Sequence, residues 1–170
     1  AVVAVLVLLV VVFADPFATL SVPAIDGAGL TPILEHPAML YHPPLLYLGL
    51  ATLVGPFALT VAALIDGRLD DAWRATVRRW ALLPWTLLAV GMVAGAHWAY
   101  VELGWGGYWA WDPVENTALL PWLAVTLLLH AVRGARSDRP PAAPVTVAGL
   151  ACLPFVLALL GSLLTRSGAT

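Results

Sequence analysis

The chain has 170 residues, 61% of them hydrophobic and 11% charged, with a net charge of −2 and a mean hydropathy of +0.91. Soluble domains carry charge at about a quarter of their positions, so this composition reads as membrane-embedded, and it is far too apolar for a disordered chain. Eight Arg against ten acids, with no Lys, leave no electrostatic footprint for nucleic acid, and the single Cys152 excludes a disulfide framework or a paired-cysteine metal site.

Residues 1–14 form an apolar run that Asp15 ends. The run is shorter than the roughly 20 residues needed to cross a bilayer. It has no basic start and no small-residue cleavage site, so it reads as the end of a spanning helix cut by the chain boundary and not as a signal peptide. Four more spans are expected at 43–65, 80–101, 114–132 and 145–164, each bounded by charge or by Pro and Gly. The expected fold is an all-α, multi-spanning transmembrane helix bundle of about five spans, the first incomplete. Residues 1–170 would form a single membrane domain, part of a longer chain.

Arginine sets the expected orientation. Arg68, Arg74, Arg78 and Arg79 lie in a loop expected at 66–79, and Arg133, Arg136 and Arg139 in one at 133–144; Arg166 stands alone on the other side. Short loops rich in Arg stay cytoplasmic, so segments 15–42, 102–113 and 165–170 face outward.

The outward segment 102–117 is the most informative. Trp105, Trp109 and Trp111 fall within seven residues and alternate with Gly104, Gly106 and Gly107. Glycines allow close backbone approach to a flat object, and indoles supply broad apolar faces with one donor each. An aromatic belt at the membrane interface is the competing reading, but it accounts for one or two tryptophans per helix end. Next comes Asp112-Pro-Val-Glu115, in which Asp112 fits a helix N-cap, Pro113 the first helical position and Glu115 the third residue of a capping box.

Of the four histidines, His36 and His42 lie in the outward segment before the 43–65 span, and His97 lies near the outer end of its helix. The two prolines after His42 hold it at a helix entrance, where a metal or haem iron would find an imidazole in one orientation. The position suits a hydrogen-bonded helix-start histidine equally well. His130 lies about fifteen residues into its span, where an ionisable side chain is costly unless paired or ligating; the alternative is a histidine resting at the inner interface. There is no hydrolase elbow, phosphate-cradling loop or zinc-protease helix, and no Cys-x-x-Cys-His for covalent haem attachment to this chain.

The stretch Trp105-Gly-Gly-Tyr-Trp-Ala-Trp-Asp-Pro-Val-Glu-Asn116 resembles the tryptophan-rich (WWD) signature of the haem-handling membrane proteins of cytochrome c maturation. Its Pro-Val-Glu-Asn continuation resembles the haem lyase family of CcmF and its nitrite-reductase counterpart. His42-Pro-Pro-Leu-Leu-Tyr-Leu-Gly49 and Leu163-Leu-Thr-Arg-Ser-Gly168 agree in order and spacing. The resemblance runs over essentially the whole chain, which covers about a quarter of a full-length member.

The resemblance implies a thioether-forming haem lyase subunit in the bacterial inner (plasma) membrane, its tryptophan-rich segment facing the periplasm. Such proteins take haem, their substrate, from a haem chaperone and join its vinyl groups to cysteine thiols of apocytochrome c. Other cytochrome c maturation membrane proteins are implied as partners, with quinol as a candidate electron donor and lipid around the spans. His42 would be an axial ligand to the haem held against Trp105, Gly106, Gly107, Trp109, Trp111 and Asp112. His130 would ligate a separate, permanently bound b-type haem. The second ligand of each haem lies further along the chain in family members. His97 stands where they more often have Trp, and His36 is additional. The alternatives are a non-enzymatic haem-transfer module of the same pathway, and a transporter or structural subunit with an aromatic belt; few midplane polar groups support a transporter.

Overall fold

A computed structural model describes residues 2–14, 16–19, 21–22, 25–27, 29–132 and 142–167. Contacts divide the chain into two compact units, residues 1–31 and 32–170. The first contains α1 (Val2–Phe13), twelve residues, all apolar. That is short of the roughly 20 residues of a complete span.

The second unit opens with two short 3-10 segments, Pro32–Leu34 and Pro37–Leu40. α2 (His42–Thr52) follows, and its Pro43 and Pro44 occupy first-turn positions where a missing N–H costs nothing. The span expected at 43–65 is two helices, α2 and α3 (Val54–Ile65), with a break at Leu53. Pro56 is the cause. It offers no N–H to the Thr52 carbonyl and its ring crowds that group, while the Leu53 N–H falls back on the Leu50 carbonyl at 3.3 Å.

α4 (Asp71–Glu102) begins well before the expected Trp80, so the predicted loop 66–79 is mostly helix, carrying Arg74, Arg78 and Arg79 on its first turns. The Asp70 carboxylate starts it by accepting the Trp73 N–H at 2.8 Å. Hydropathy marks where membrane begins, and here the helix begins earlier. Its 32 residues reach ~48 Å, against ~30 Å of hydrocarbon, so its Arg-bearing end has length to project beyond the hydrocarbon.

α5 (Pro113–Ala131) and α6 (Pro144–Arg166) fall where expected. Arg133, Arg136 and Arg139 lie outside the described residues. Arg74 Nη2 donates to the Ala142 carbonyl at 2.8 Å, which ties the start of α4 to the approach to α6.

α4 packs against α2, α3 and α5, and α6 against α5 and α3. Close approach of α2 and α4 depends on small residues: a Cβ on Gly91 would lie 2.9 Å from Leu46, and one on Gly49 would lie 2.8 Å from Leu88. Leu53, Val77, Leu88, Val125, Leu128 and Val147 are fully buried between the helices. Outward, Val90, Val93, Leu120, Leu127, Leu159 and Leu163 are exposed. Pro37–Ile65, α4, α5 and α6 are all long and apolar enough to cross a membrane. With an apolar exterior and, among the described residues, only helices, the fold is a multi-span membrane bundle.

Candidate functional site

Between α4 and α5 the chain turns through Gly104 and Gly106, both left-handed at φ 66 and 76°. The Trp105 ring folds over Gly107, where any Cβ would collide with it. Tyr100 at the end of α4 stacks on Tyr108 of the segment, with centroids 4.4 Å apart and planes 8° from parallel.

Asp112 caps α5 as expected, its Oδ1 accepting the Glu115 N–H at 2.7 Å. The other half of the capping box differs. Glu115 does not return to the Asp112 N–H; its Oε2 accepts from Ala110 N–H at 2.8 Å and Trp111 N–H at 2.9 Å. The reason is local backbone shape. Trp111 is left-handed at φ 62°, the one non-glycine so found among the described residues, and its N–H and that of Ala110 converge on the same Glu115 oxygen. Asn116 Nδ2 donates to the Trp111 carbonyl at 3.1 Å.

His42, first residue of α2, is held by α4. Its Nδ1 lies 2.8 Å from the Gly91 carbonyl. A carbonyl only accepts, so the proton sits on Nδ1 and the Nε2 lone pair is left free. The ring packs on Gly95 and lies near-parallel to Trp98 at 6.3 Å. Trp98 is itself held, its indole N–H donating to the Ile33 carbonyl at 3.2 Å. An apolar cleft of about 150 Å³ is lined here by His42, Leu46, Met92, Trp98 and Trp109, with Asp112 and Glu115. The Trp109 indole N–H is shielded from solvent and has no acceptor among the described residues. Trp109 meets Trp111 edge-on, at 6.3 Å and 77°.

Of the three signature tryptophans, only Trp109 therefore shares a cleft with His42; Trp105 and Trp111 do not line it and are 44% and 71% exposed. Trp98 and Gly95 frame His42 instead. The glycine at i+4 from Gly91 was the available sequence signal for Gly95, but its partner lies 53 residues away.

His130 lies in the last turn of α5. Its Nδ1 is 2.7 Å from the Thr126 carbonyl, which again leaves Nε2 free. It is exposed in a second cleft, about 180 Å³, lined by Arg78, Leu82, Trp85, Thr126 and Leu129. Behind His130 lies an inter-helix network. Trp85 Nε1–H donates to Thr126 Oγ1 at 2.9 Å, Thr126 Oγ1–H to the Trp122 carbonyl at 2.9 Å, and Trp122 Nε1–H to the Trp85 carbonyl at 3.2 Å. The Trp85 and Trp122 rings stack at 5.8 Å. Trp122, close in sequence to the outer segment, thus belongs to the α4–α5 contact. This pairing joins residues 37 positions apart and leaves no local trace in sequence.

His36 has the opposite arrangement. Its Nδ1 accepts the Ala38 N–H at 3.1 Å, so its lone pair is engaged and Nε2 faces Glu102 at 3.9 Å. His97, exposed, lies 6.5 Å from His36, ring to ring. No group of three or more His, Cys, Asp or Glu able to hold a metal occurs among the described residues. Free Nε2 with tied Nδ1 is the form in which an imidazole ligates haem iron, and His42 and His130 both have it. Each cleft is smaller than the roughly 300–1,000 Å³ that encloses an organic ligand.

Residues 1–169 match the model of the family described as "Cytochrome C assembly protein". The chain is 46% identical over 165 residues to the probable cytochrome c-type biogenesis protein NrfE of Escherichia coli, covering 97% of this chain and 30% of that protein. It is 45% identical over 161 residues to the cytochrome c-type biogenesis protein CycK of Bradyrhizobium diazoefficiens, covering 95% of this chain and 24% of that one. A solved structure described as cytochrome c heme lyase CcmF superimposes with a TM-score of 0.67 at 44% identity, over 78% of this chain and 22% of that one. The chain thus spans about a quarter to a third of these relatives.

Proposed function

The chain belongs to the cytochrome c assembly protein family, and on that premise we propose that it forms the haem-holding part of a cytochrome c haem lyase. The observation that carries the proposal is His42: its Nδ1 is tied to Gly91 and its Nε2 is free, in an apolar cleft shared with Trp109 of the signature segment. Haem delivered by a chaperone would meet an axial ligand in His42, an apolar wall in Trp98 and Trp109, and an unpartnered donor in the Trp109 indole N–H. Trp105, Gly106, Gly107, Trp111 and Asp112 would complete the surface on which the ring rests.

Held there, a haem vinyl can be met by an apocytochrome c thiol. The S–H bond breaks, sulfur bonds the vinyl carbon next to the ring, and the hydrogen goes to the terminal carbon. Nothing leaves and no net oxidation occurs. Orientation of two bulky partners is then the chain's main contribution to rate.

His130 supplies a second, inner ligand, with Trp85 and Arg78 beside it. A b-type haem there would supply one-electron chemistry, with quinol as its reductant. The arginines at the start of α4 support a cytoplasmic location for that end, and so a periplasmic one for the tryptophan-rich segment of an inner-membrane protein.

One observation favours the alternative of a haem-transfer module without bond formation: Asp112 and Glu115 in the cleft are both engaged by backbone N–H groups. The full-length protein, supplied with chaperone-bound haem and an apocytochrome c, tests both. Thioether-linked haem in the product supports the lyase. Capture without linkage gives the transfer module, and no capture at all removes both.

A further inference from the structure

Trp111 is held where its residue type does not rest. A left-handed backbone at φ 62° suits glycine and crowds any side chain with a Cβ, yet Trp111 carries the largest side chain there and leaves it 71% exposed. Three hydrogen bonds maintain this. Glu115 Oε2 takes the N–H of Trp111 and of Ala110 before it, and Asn116 Nδ2 holds the Trp111 carbonyl. The peptide groups on both sides of Trp111 are therefore fixed, one by Glu115 and one by Asn116.

Helix capping alone does not account for this. Asp112 already caps α5, and a conventional box would return Glu115 to the Asp112 N–H. Instead the Glu115 carboxylate reaches past the cap to the loop. We infer that Glu115 and Asn116 are positioning residues, which clamp Trp111 in its left-handed conformation and so set its indole edge-on to Trp109 as an outward wall for a flat, tetrapyrrole-sized ligand.

The inference rests on the haem-holding reading for the ligand, but the clamp itself does not. It acts through Trp111, and this distinguishes it from an acid–base role. Three variants of the full-length protein separate the possibilities. Glu115→Ala removes the acceptor, Glu115→Gln keeps one oxygen for the two N–H groups, and Trp111→Gly keeps the left-handed backbone while deleting the indole.

Two readouts are taken: the near-ultraviolet circular dichroism of the tryptophans without haem, and capture of chaperone-delivered haem. Glu115→Ala should change the dichroism and lower capture about tenfold, as loss of a clamping acceptor warrants. Glu115→Gln should keep the parent dichroism and lower capture only about threefold, since a neutral acceptor keeps roughly half the strength. Added to Trp111→Gly, Glu115→Ala should have no further effect on either. If Glu115→Ala does not fold, Asn116→Ala carries the same comparison by removing only the donor to the Trp111 carbonyl.

A Glu115→Gln loss equal to that of Glu115→Ala, or an equal Glu115→Ala loss with and without the indole, overturns the clamp. So does a dichroism spectrum indifferent to Glu115→Ala. Unchanged haem capture in Trp111→Gly overturns the wall assigned to the indole. A parent protein that captures no haem defeats the haem-holding reading, while its dichroism still decides the clamp.

Discussion

The Nδ1–H of His42 donates to the carbonyl oxygen of Gly91 at 2.8 Å, across the contact between α2 and α4. One hydrogen bond thereby fixes both the ring orientation and the nitrogen left to bind. Replacing His42 by Ala should abolish capture of chaperone-delivered haem and leave any b-type absorption in place. Replacing His130 by Ala should do the reverse. Visible spectra of the two purified full-length variants, with and without reductant, check this; parallel loss of both signals would defeat the assignment of two separate sites.

Gly95 supports the same ring from below. An added methyl would occupy the space of the His42 imidazole. Gly95→Ala should therefore behave as a weaker His42→Ala in haem capture, with a stability cost of about 1–3 kcal/mol for overpacking. Gly27→Ala, with nothing near its Cβ position, is the matched control and should change neither spectrum nor melting temperature.

His36 should not substitute for His42. Its lone pair already accepts the Ala38 N–H, and ligating iron would forfeit that bond. His36→Ala is expected to retain haem capture within about twofold, losing only a modest capping contribution. A capture loss as large as that of His42→Ala would show that His36 rearranges to ligate.

Thr126 has two separable roles. Its hydroxyl joins Trp85 to Trp122, while its backbone carbonyl holds His130. Thr126→Val deletes the hydroxyl alone and leaves the Trp85 N–H without an acceptor. Thermal stability in detergent should fall by about 0.5–2 kcal/mol, while the b-type spectrum attributed to His130 persists. Loss of that spectrum in a folded protein would mean that the network, and not the carbonyl alone, holds the imidazole.

Asp112→Ala removes the cap of α5 while the Glu115 and Asn116 contacts to Trp111 remain available. The expected cost is about 1 kcal/mol, read as a lower melting temperature with haem capture reduced less than in Glu115→Ala. A larger capture loss than in Glu115→Ala would make the Asp112 carboxylate a principal haem contact and not only a flanking part of the surface.

Hydropathy and punctuation made the spans legible before any coordinates. The runs that become α5 and α6, and the Asp112–Pro113 start of α5, follow from local rules: apolar length and proline position. Local rules also misplaced one helix start and gave no sign of one break, each for a physical reason. The start of α4 lies at Asp71 because an N-cap, not hydropathy, begins a helix, and the 43–65 span breaks at Leu53 because Pro56 cannot pair with Thr52.

Sequence alone determined that this chain is helical and membrane-spanning, with three of its eight tryptophans gathered in one short segment and two histidines in positions that ask for a partner. Tertiary structure decided what those histidines offer. Whether a ring nitrogen keeps its lone pair depends on which carbonyl or N–H it meets: Gly91 for His42, Thr126 for His130, Ala38 for His36. It also decided which tryptophans face a histidine and which pair in the bundle, as Trp98 does with His42 and Trp85 with Trp122. Those contacts join residues 56 and 37 positions apart, and only the packing of α2 and α5 against α4 brings them together.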